Sequence, residues 1–326
     1  MNPDSPFDPV FSRRSFLETL GGGEVLRRLD DGLGHREPFL LLTGDPGTGK
    51  TALASEAVAR WGACVTAAFL AYPVLTAGEM LEEIIRRFGA EPPERAGRSK
   101  LLGCFEGLLG EATSDGRIAL LIVDDAHDLP PERLEELRLL VNAAQQARRP
   151  FEVLLIGLPA LEARLGEPAL AALRQRVSLH TRLDPLTAAE TQRYLHHRVA
   201  AAGGDGPSLF SRKTCRDIAG RTRGVPRQIN ALAAEALRVA RVAGDQTVGA
   251  EHVRAAAATL WDLAPETDRE DSGDDAREAA GSPIVAREPR STRMGVAFRR
   301  GPGADPVRLA PEVRFRMGRG TPRGGR

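Results

Sequence analysis

Residues 44–51 read Gly44-Asp45-Pro46-Gly47-Thr48-Gly49-Lys50-Thr51, the GxxxxGK[ST] spacing of a phosphate-binding loop. No other feature of the chain limits its fold as tightly. Such a loop works only when a buried strand leads into it and a helix leaves it. Its glycines let backbone N–H groups curl around phosphate oxygens, and the helix aims its positive end at the anion. Phe39-Leu40-Leu41-Leu42-Thr43 supplies the strand, and the pattern from Thr51 to Trp61 supplies the helix. Lys50 is placed to reach β and γ phosphate oxygens, and the Thr51 hydroxyl to ligate magnesium. The motif therefore predicts binding of ATP with Mg2+. Lysine occurs only at Lys50, Lys100 and Lys213, arginine taking the other basic positions, so its retention at position 50 carries information.

A second piece lies about seventy residues on. Apolar Ile118 to Val123 reads as a buried strand that delivers Asp124-Asp125. Asp124 is the candidate partner for magnesium, directly or through water. Asp125 is the candidate base that orients the attacking water. His127 reads as a loop residue satisfied locally, with a relay between the acidic pair and a partner as the alternative. Around these motifs the pattern alternates: strands at 63–70, 151–156 and near 177–182, and helices over 22–33, 77–88, 99–113 and 131–147. Thr76 and Glu79 spell a capping box. After Pro185 only helical periods follow, over 187–202, 208–219, 226–242 and 249–261. The expected organisation is an α/β phosphate-loop domain over 1–185, a small all-α lid over 186–262 and a charged tail over 263–326.

Two arginine positions add to the site. Gly224-Val225-Pro226-Arg227 opens a lid helix with proline at its first position, which puts Arg227 in the first turn, able to grip a γ-phosphate. Arg174 and Arg176 precede the last strand, where either surface charge or an arginine finger acting on a neighbouring subunit fits.

Taken together, GDPGTGKT, LLIVDDAH, IGLPALEARL, LRQRVSLHTRLDPLTAAET and RGVPRQINALAAEALRVA resemble the ExeA/GspA-type AAA+ ATPases. These belong to the wider ORC1/DEAH-type AAA+ group, which includes transposition ATPases of the TniB/TnsC kind. The resemblance runs from about Pro6 to Asp262, with the PFDP start and the AYPVLTAGEML stretch in the expected order. It implies a P-loop NTPase of AAA+ type: a five-stranded parallel sheet sandwiched by helices, an α-helical lid, ATP hydrolysed at their junction, and assembly into a homo-oligomer. By motif match Arg176 would be the arginine finger and Arg227 the sensor 2 residue. ExeA-type proteins are associated with assembling envelope machines such as type II secretion or pilus systems. Three departures stand out. Asp125 replaces the usual glutamate, retracting the carboxylate by one carbon. Leu158 replaces a glutamine in the family's GQPEL turn and cannot hydrogen-bond a γ-phosphate. Many members also continue into a transmembrane helix and a peptidoglycan-binding domain, and neither pattern is read in this sequence, so a role at the cell wall is not expected to transfer.

Composition excludes several classes. Hydrophobic residues make up 42% and charged residues 27%, a globular balance, and the net charge of +1 selects no partner. Cys64, Cys104 and Cys215 form no CxxC pair and read as small buried hydrophobes in a reducing compartment. No signal peptide is read and the apolar runs are too short to span a bilayer, so the expectation is a cytoplasmic protein without a membrane span. The tail is acidic over 265–280, with seven acids and two arginines, then basic over 287–326, with eleven arginines and three acids. That basic arm fits phosphate contacts with nucleic acid or a solubilising end equally well. Three functions stay open: an ATP-driven switch that assembles or remodels a protein complex, a DNA-associated ATPase of transposition or replication, and a nucleotide sensor with little hydrolysis.

Overall fold

The computed structural model describes residues 6–8, 16–71 and 76–261. The charged tail read from the sequence and part of the AYPVLTAGEML stretch lie outside the described residues. The strands are β1 (Phe39–Thr43), β2 (Val65–Leu70), β3 (Ile118–Val123), β4 (Phe151–Gly157) and β5 (Val177–Arg182). The helices are α1 (Leu20–Gly34), α2 (Lys50–Trp61), α3 (Ala77–Arg87), α4 (Arg98–Ala112), α5 (Pro131–Gln146), α6 (Ala160–Leu165), α7 (Ala171–Arg174), α8 (Ala188–Ala201), α9 (Gly206–Leu209), α10 (Arg212–Thr222), α11 (Pro226–Ala243) and α12 (Ala250–Trp261).

The five strands form one sheet in the order β2-β3-β4-β1-β5. Every neighbouring pair is parallel. Parallel strands need crossovers, and the crossovers here put helices on both faces. Side chains alternate between those faces. Leu40, Leu42, Leu120, Ile122, Leu154 and Ile156 pack with Val25, Leu26 and Leu29 of α1 and Leu53 and Ala57 of α2. Leu41, Leu121, Val153 and Leu155 pack with Met80 and Ile84 of α3, Phe105 of α4 and Leu137 and Val141 of α5. Because both faces are covered, β1, β3 and β4 are buried at every position, which is why they read as unbroken apolar runs. Edge strand β5 is only half covered and exposes Ser178, His180 and Arg182.

Helices α8, α10, α11 and α12 bury a separate core that includes Leu195, Phe210, Ile218, Leu232 and Val253. Thr187 and Glu190 close a capping box at the start of α8. One isolated bridge, Phe210 with Val248, joins loops in this module, where the sequence pattern shows no strand. Phe7 also belongs to this core. Its ring meets Phe210 edge-on, centroids 5.7 Å apart at 85°. Arg198 of α8 clamps the backbone around it, Nε donating to the Pro6 carbonyl at 2.7 Å and Nη2 to the Asp8 carbonyl at 2.6 Å. At the start of α1, the Leu20 N–H donates to Glu190 Oε1 at 3.0 Å, tying that helix to α8.

The cysteines depart from the sequence reading. Only Cys215 is buried, its thiol pushed up to about 11 by desolvation, whereas Cys104 is half-buried and Cys64 exposed. All three are free thiols. Among the described residues no helix is long and apolar enough to cross a membrane.

Candidate nucleotide site

The site forms at the carboxyl ends of the strands, the usual ligand edge of an open parallel sheet. β1 ends at Thr43 and the loop turns through Gly47 and Gly49, with φ of 80° and 98°, into α2. Gly47 is required twice: its φ is left-handed, and a Cβ there would come within 2.8 Å of the Arg227 Cβ. Lys50 opens α2 and is 8% exposed. Its ammonium donates to the Gly44 carbonyl at 2.9 Å and the Asp45 carbonyl at 3.0 Å. Burial lowers its pKa below the usual lysine value, opposed by the carboxylates of Asp124, Asp125 and Asp45, and the Arg227 charge pushes in the same direction as burial. Thr48 is tied to Asp45 through its hydroxyl, at 2.9 Å, so the loop is braced internally. Asp45 also faces Arg182 of β5 at 3.6 Å.

β3 brings the acidic pair to the same edge. The Thr51 hydroxyl donates to Asp124 Oδ2 at 2.6 Å across 73 residues of sequence. The other oxygen, Oδ1, accepts from the Asp125 N–H at 3.0 Å, so both carboxylate oxygens are oriented. Asp125 adopts a left-handed conformation, φ 50°, and its side chain is 62% exposed. It leads into a 3-10 turn over Ala126–Asp128. His127 lies beside it: Nδ1 is 4.0 Å from Asp125 Oδ1, Nε2 is 3.7 Å from Asp128 Oδ1, and Nδ1 is buried with no hydrogen-bond partner among the described residues. The expected local satisfaction of His127 is therefore missing at that nitrogen.

Two residues of α6 contact the site; the IGLPALEARL stretch that carries the resemblance contains both, but the sequence reading gave neither a role. Arg164 donates through Nη1 to the His127 carbonyl and through Nη2 to the Leu129 carbonyl, the latter at 2.6 Å. Glu162 accepts from the Thr43 hydroxyl at 2.6 Å, next to His180 Nε2, itself 3.0 Å from that hydroxyl. Both contacts cross more than thirty residues and end on backbone or on a strand hydroxyl, which no spacing rule reads.

The helical module closes the other side. Gly224, φ 74°, passes so close to Leu186 that a Cβ would sit 1.9 Å from its carbonyl oxygen. Pro226 then starts α11, as its fixed φ favours. The Arg227 N–H donates to the Gly47 carbonyl at 3.2 Å. The Arg227 side chain is exposed and makes no ion pair among the described residues. Thus Lys50, Thr51, Asp124, Asp125 and Arg227 gather at one place. Arg176 does not join them. It precedes β5 at the opposite end of the sheet, about 17 Å from the P-loop edge by strand rise, and bonds Gln145 at 3.1 Å. Leu158 follows β4 at the site edge, with no polar group to offer.

A phosphate loop, a strand-borne aspartate and a five-stranded sheet in this order already narrow the family, and comparison with known proteins agrees. Residues 33–165 match the family described as AAA domain. The chain carries an AAA+ module similar to the ExeA/GspA type. It is 31% identical over 226 residues to General secretion pathway protein A of Aeromonas hydrophila, a match covering 69% of this chain and 41% of that protein. The chain thus spans well under half of that relative's length. Among solved structures it is similar to Cdc6p of Pyrobaculum aerophilum, at 20% identity and a TM-score of 0.65, covering 79% of this chain and 71% of that one. It is also similar to the Aeropyrum pernix ORC2 protein in its ADPNP-ADP complexes, at 18% identity and a TM-score of 0.61, covering 77% and 70%. RuvB of Thermotoga maritima follows at 20% identity and a TM-score of 0.52, covering 78% and 73%. At these identities the solved structures bear on the fold alone, and the AAA+ module has the fold of all three.

Proposed function

We propose that this chain binds ATP with Mg2+ between its α/β and helical modules, hydrolyses it, and uses the cycle to assemble or remodel a protein complex. The observation that carries the nucleotide reading is the 2.6 Å contact between Thr51 and Asp124 beside the buried Lys50. A hydroxyl and a carboxylate converging at a P-loop are hard oxygen donors of the kind magnesium takes, with substrate phosphates completing its shell. When bound, Mg2+ neutralises charge on the β- and γ-phosphates. Thr51 and Asp124 would hold it, Gly44 to Thr51 would cradle the phosphates, and Lys50 would leave its loop carbonyls for them. Arg227, seated on Gly47 with its guanidinium free of acidic partners among the described residues, would bind the γ-phosphate and let the helical module act as a lid. Asp125 would take the proton of the attacking water, at a reach one carbon shorter than a glutamate.

Arg176, a sheet length from its own loop, would serve only a neighbouring subunit, so the active form is a homo-oligomer. Likeness to the secretion-pathway protein supports the assembly role, and the process and the partner are part of the proposal. A second reading, a nucleotide sensor with little turnover, draws on the short Asp125 side chain. The test is ATP affinity by calorimetry, with and without Mg2+. Wild type should bind tightly only with the metal, Thr51→Ala should lose most of that enhancement, and Lys50→Ala should lose binding. Equal affinity of all three proteins would remove the reading.

A further inference from the structure

Helix α6 has only six residues, yet it reaches both walls of the site. Glu162 holds Thr43, the residue before the phosphate loop. Two positions on, Arg164 points the other way and bonds the carbonyls of His127 and Leu129. We propose that Arg164 is a positioning residue for hydrolysis, fixing the turn from which Asp125 addresses the attacking water. This rests on the hydrolytic reading above.

The turn needs such a brace. Asp125 sits in a left-handed conformation, a small allowed region that aspartate enters more readily than most residues but less readily than glycine. The turn's own backbone supplies little: Asp128 N–H to the Asp125 carbonyl at 2.9 Å and Leu129 N–H to the Ala126 carbonyl at 3.3 Å. His127, at its centre, leaves Nδ1 without a hydrogen-bond partner among the described residues, and its Nε2 stands 3.7 Å from Asp128 Oδ1, longer than a hydrogen bond. Arg164 makes no ion pair among the described residues, and its two terminal nitrogens go to backbone carbonyls two residues apart. A planar guanidinium fixes both at once, whereas an ammonium is a single point charge. Because α6 follows β4 after only Leu158 and Pro159, the brace is built on the rigid centre of the sheet. The short reach of Asp125 makes its placement more critical, since small misplacements of a reacting group carry large rate penalties.

The experiment compares wild type, Arg164→Ala and Arg164→Lys in the full chain. Three quantities are read: single-turnover ATP hydrolysis, affinity for ATP with Mg2+, and hydrogen exchange of a peptide covering residues 124–130. Arg164→Ala should hydrolyse about 10- to 100-fold more slowly while its affinity stays within about threefold. Its amides at 126–129 should exchange faster, with β3 unchanged. Arg164→Lys should recover part of the rate. Unchanged turnover and exchange in Arg164→Ala would overturn the proposal, as would equal losses of affinity and melting temperature in both variants, the mark of a structural role. Should wild type itself show no turnover, the hydrolytic reading fails, and the exchange of residues 126–129 still decides whether Arg164 holds the turn.

Discussion

Glu152 is the residue whose replacement should change stability most visibly with pH. It lies in β4, paired with Leu120 of β3, is 2% exposed, and neither carboxylate oxygen has a hydrogen-bond partner among the described residues. Burial raises its pKa to about 8, Arg36 opposing and Glu37 adding to the rise. The folded chain therefore holds a proton here that the unfolded chain, titrating near 4.5, gives up. With the folded value above the unfolded one, this contribution is fully present below pH 4.5 and is lost as pH rises toward 8. At 1.36 kcal/mol per unit, the loss between pH 5 and pH 8 comes to about 3 to 4 kcal/mol. Glu152→Gln removes the titration and keeps the shape. Urea unfolding of both proteins at pH 5, 6, 7 and 8 isolates the effect, because the other ionisable groups cancel in the difference. The variant should gain on wild type steadily across that range, ending about 3 to 4 kcal/mol ahead of its relative position at pH 5. A difference that stays flat with pH would refute the reasoning. Since Glu152 lies near the amino end of its strand, away from Asp124 and Thr51, nucleotide affinity should not follow.

Further expectations follow from the packing. Phe7→Ala should destabilise the helical module by about 3 kcal/mol, as removal of a buried ring does, read by denaturant unfolding; a negligible loss would mean that the N-terminal contact with Phe210 does not hold in solution. Arg227→Ala should weaken ATP more than ADP, since only ATP carries the phosphate it would grip, and equal weakening of both would place the arginine elsewhere. Gly224→Ala should lower stability sharply because the added carbon meets the Leu186 carbonyl, and a variant of normal stability would contradict that close approach.

Much of the architecture was readable because parallel strands covered on two faces leave unbroken apolar runs, as in Phe39–Thr43 and Ile118–Val123. The capping boxes at Thr76 and Thr187 are local and were equally open to reading, the first from its spacing. Boundaries moved where local chemistry competed. Gly62–Cys64 tightens into a 3-10 turn, so β2 starts at Val65 and not at 63. Residues 206–209 form their own short helix, and Ser211 caps α10 afresh by accepting from the Thr214 N–H at 3.2 Å. At the site, the P-loop and Asp124 are sequence motifs with a mechanism, and the fold brings them together. Arg164, Glu162 and Phe7 sit in stretches that carry the resemblance, but their roles were not legible because they are long-range contacts, the last across some 190 residues to Arg198. Such contacts depend on topology and leave no local pattern.

The proposed turnover of ATP, with a finger supplied by a neighbouring subunit, makes the rate depend on assembly. The most direct measurement is ATPase rate against protein concentration for wild type, Lys50→Ala, Asp125→Asn and Arg176→Ala. The wild-type rate should rise faster than linearly with concentration, and turnover should be lost in all three variants, with Arg176→Ala still binding ATP. Tight ATP binding with no turnover at any concentration, or full activity in Arg176→Ala, would contradict it.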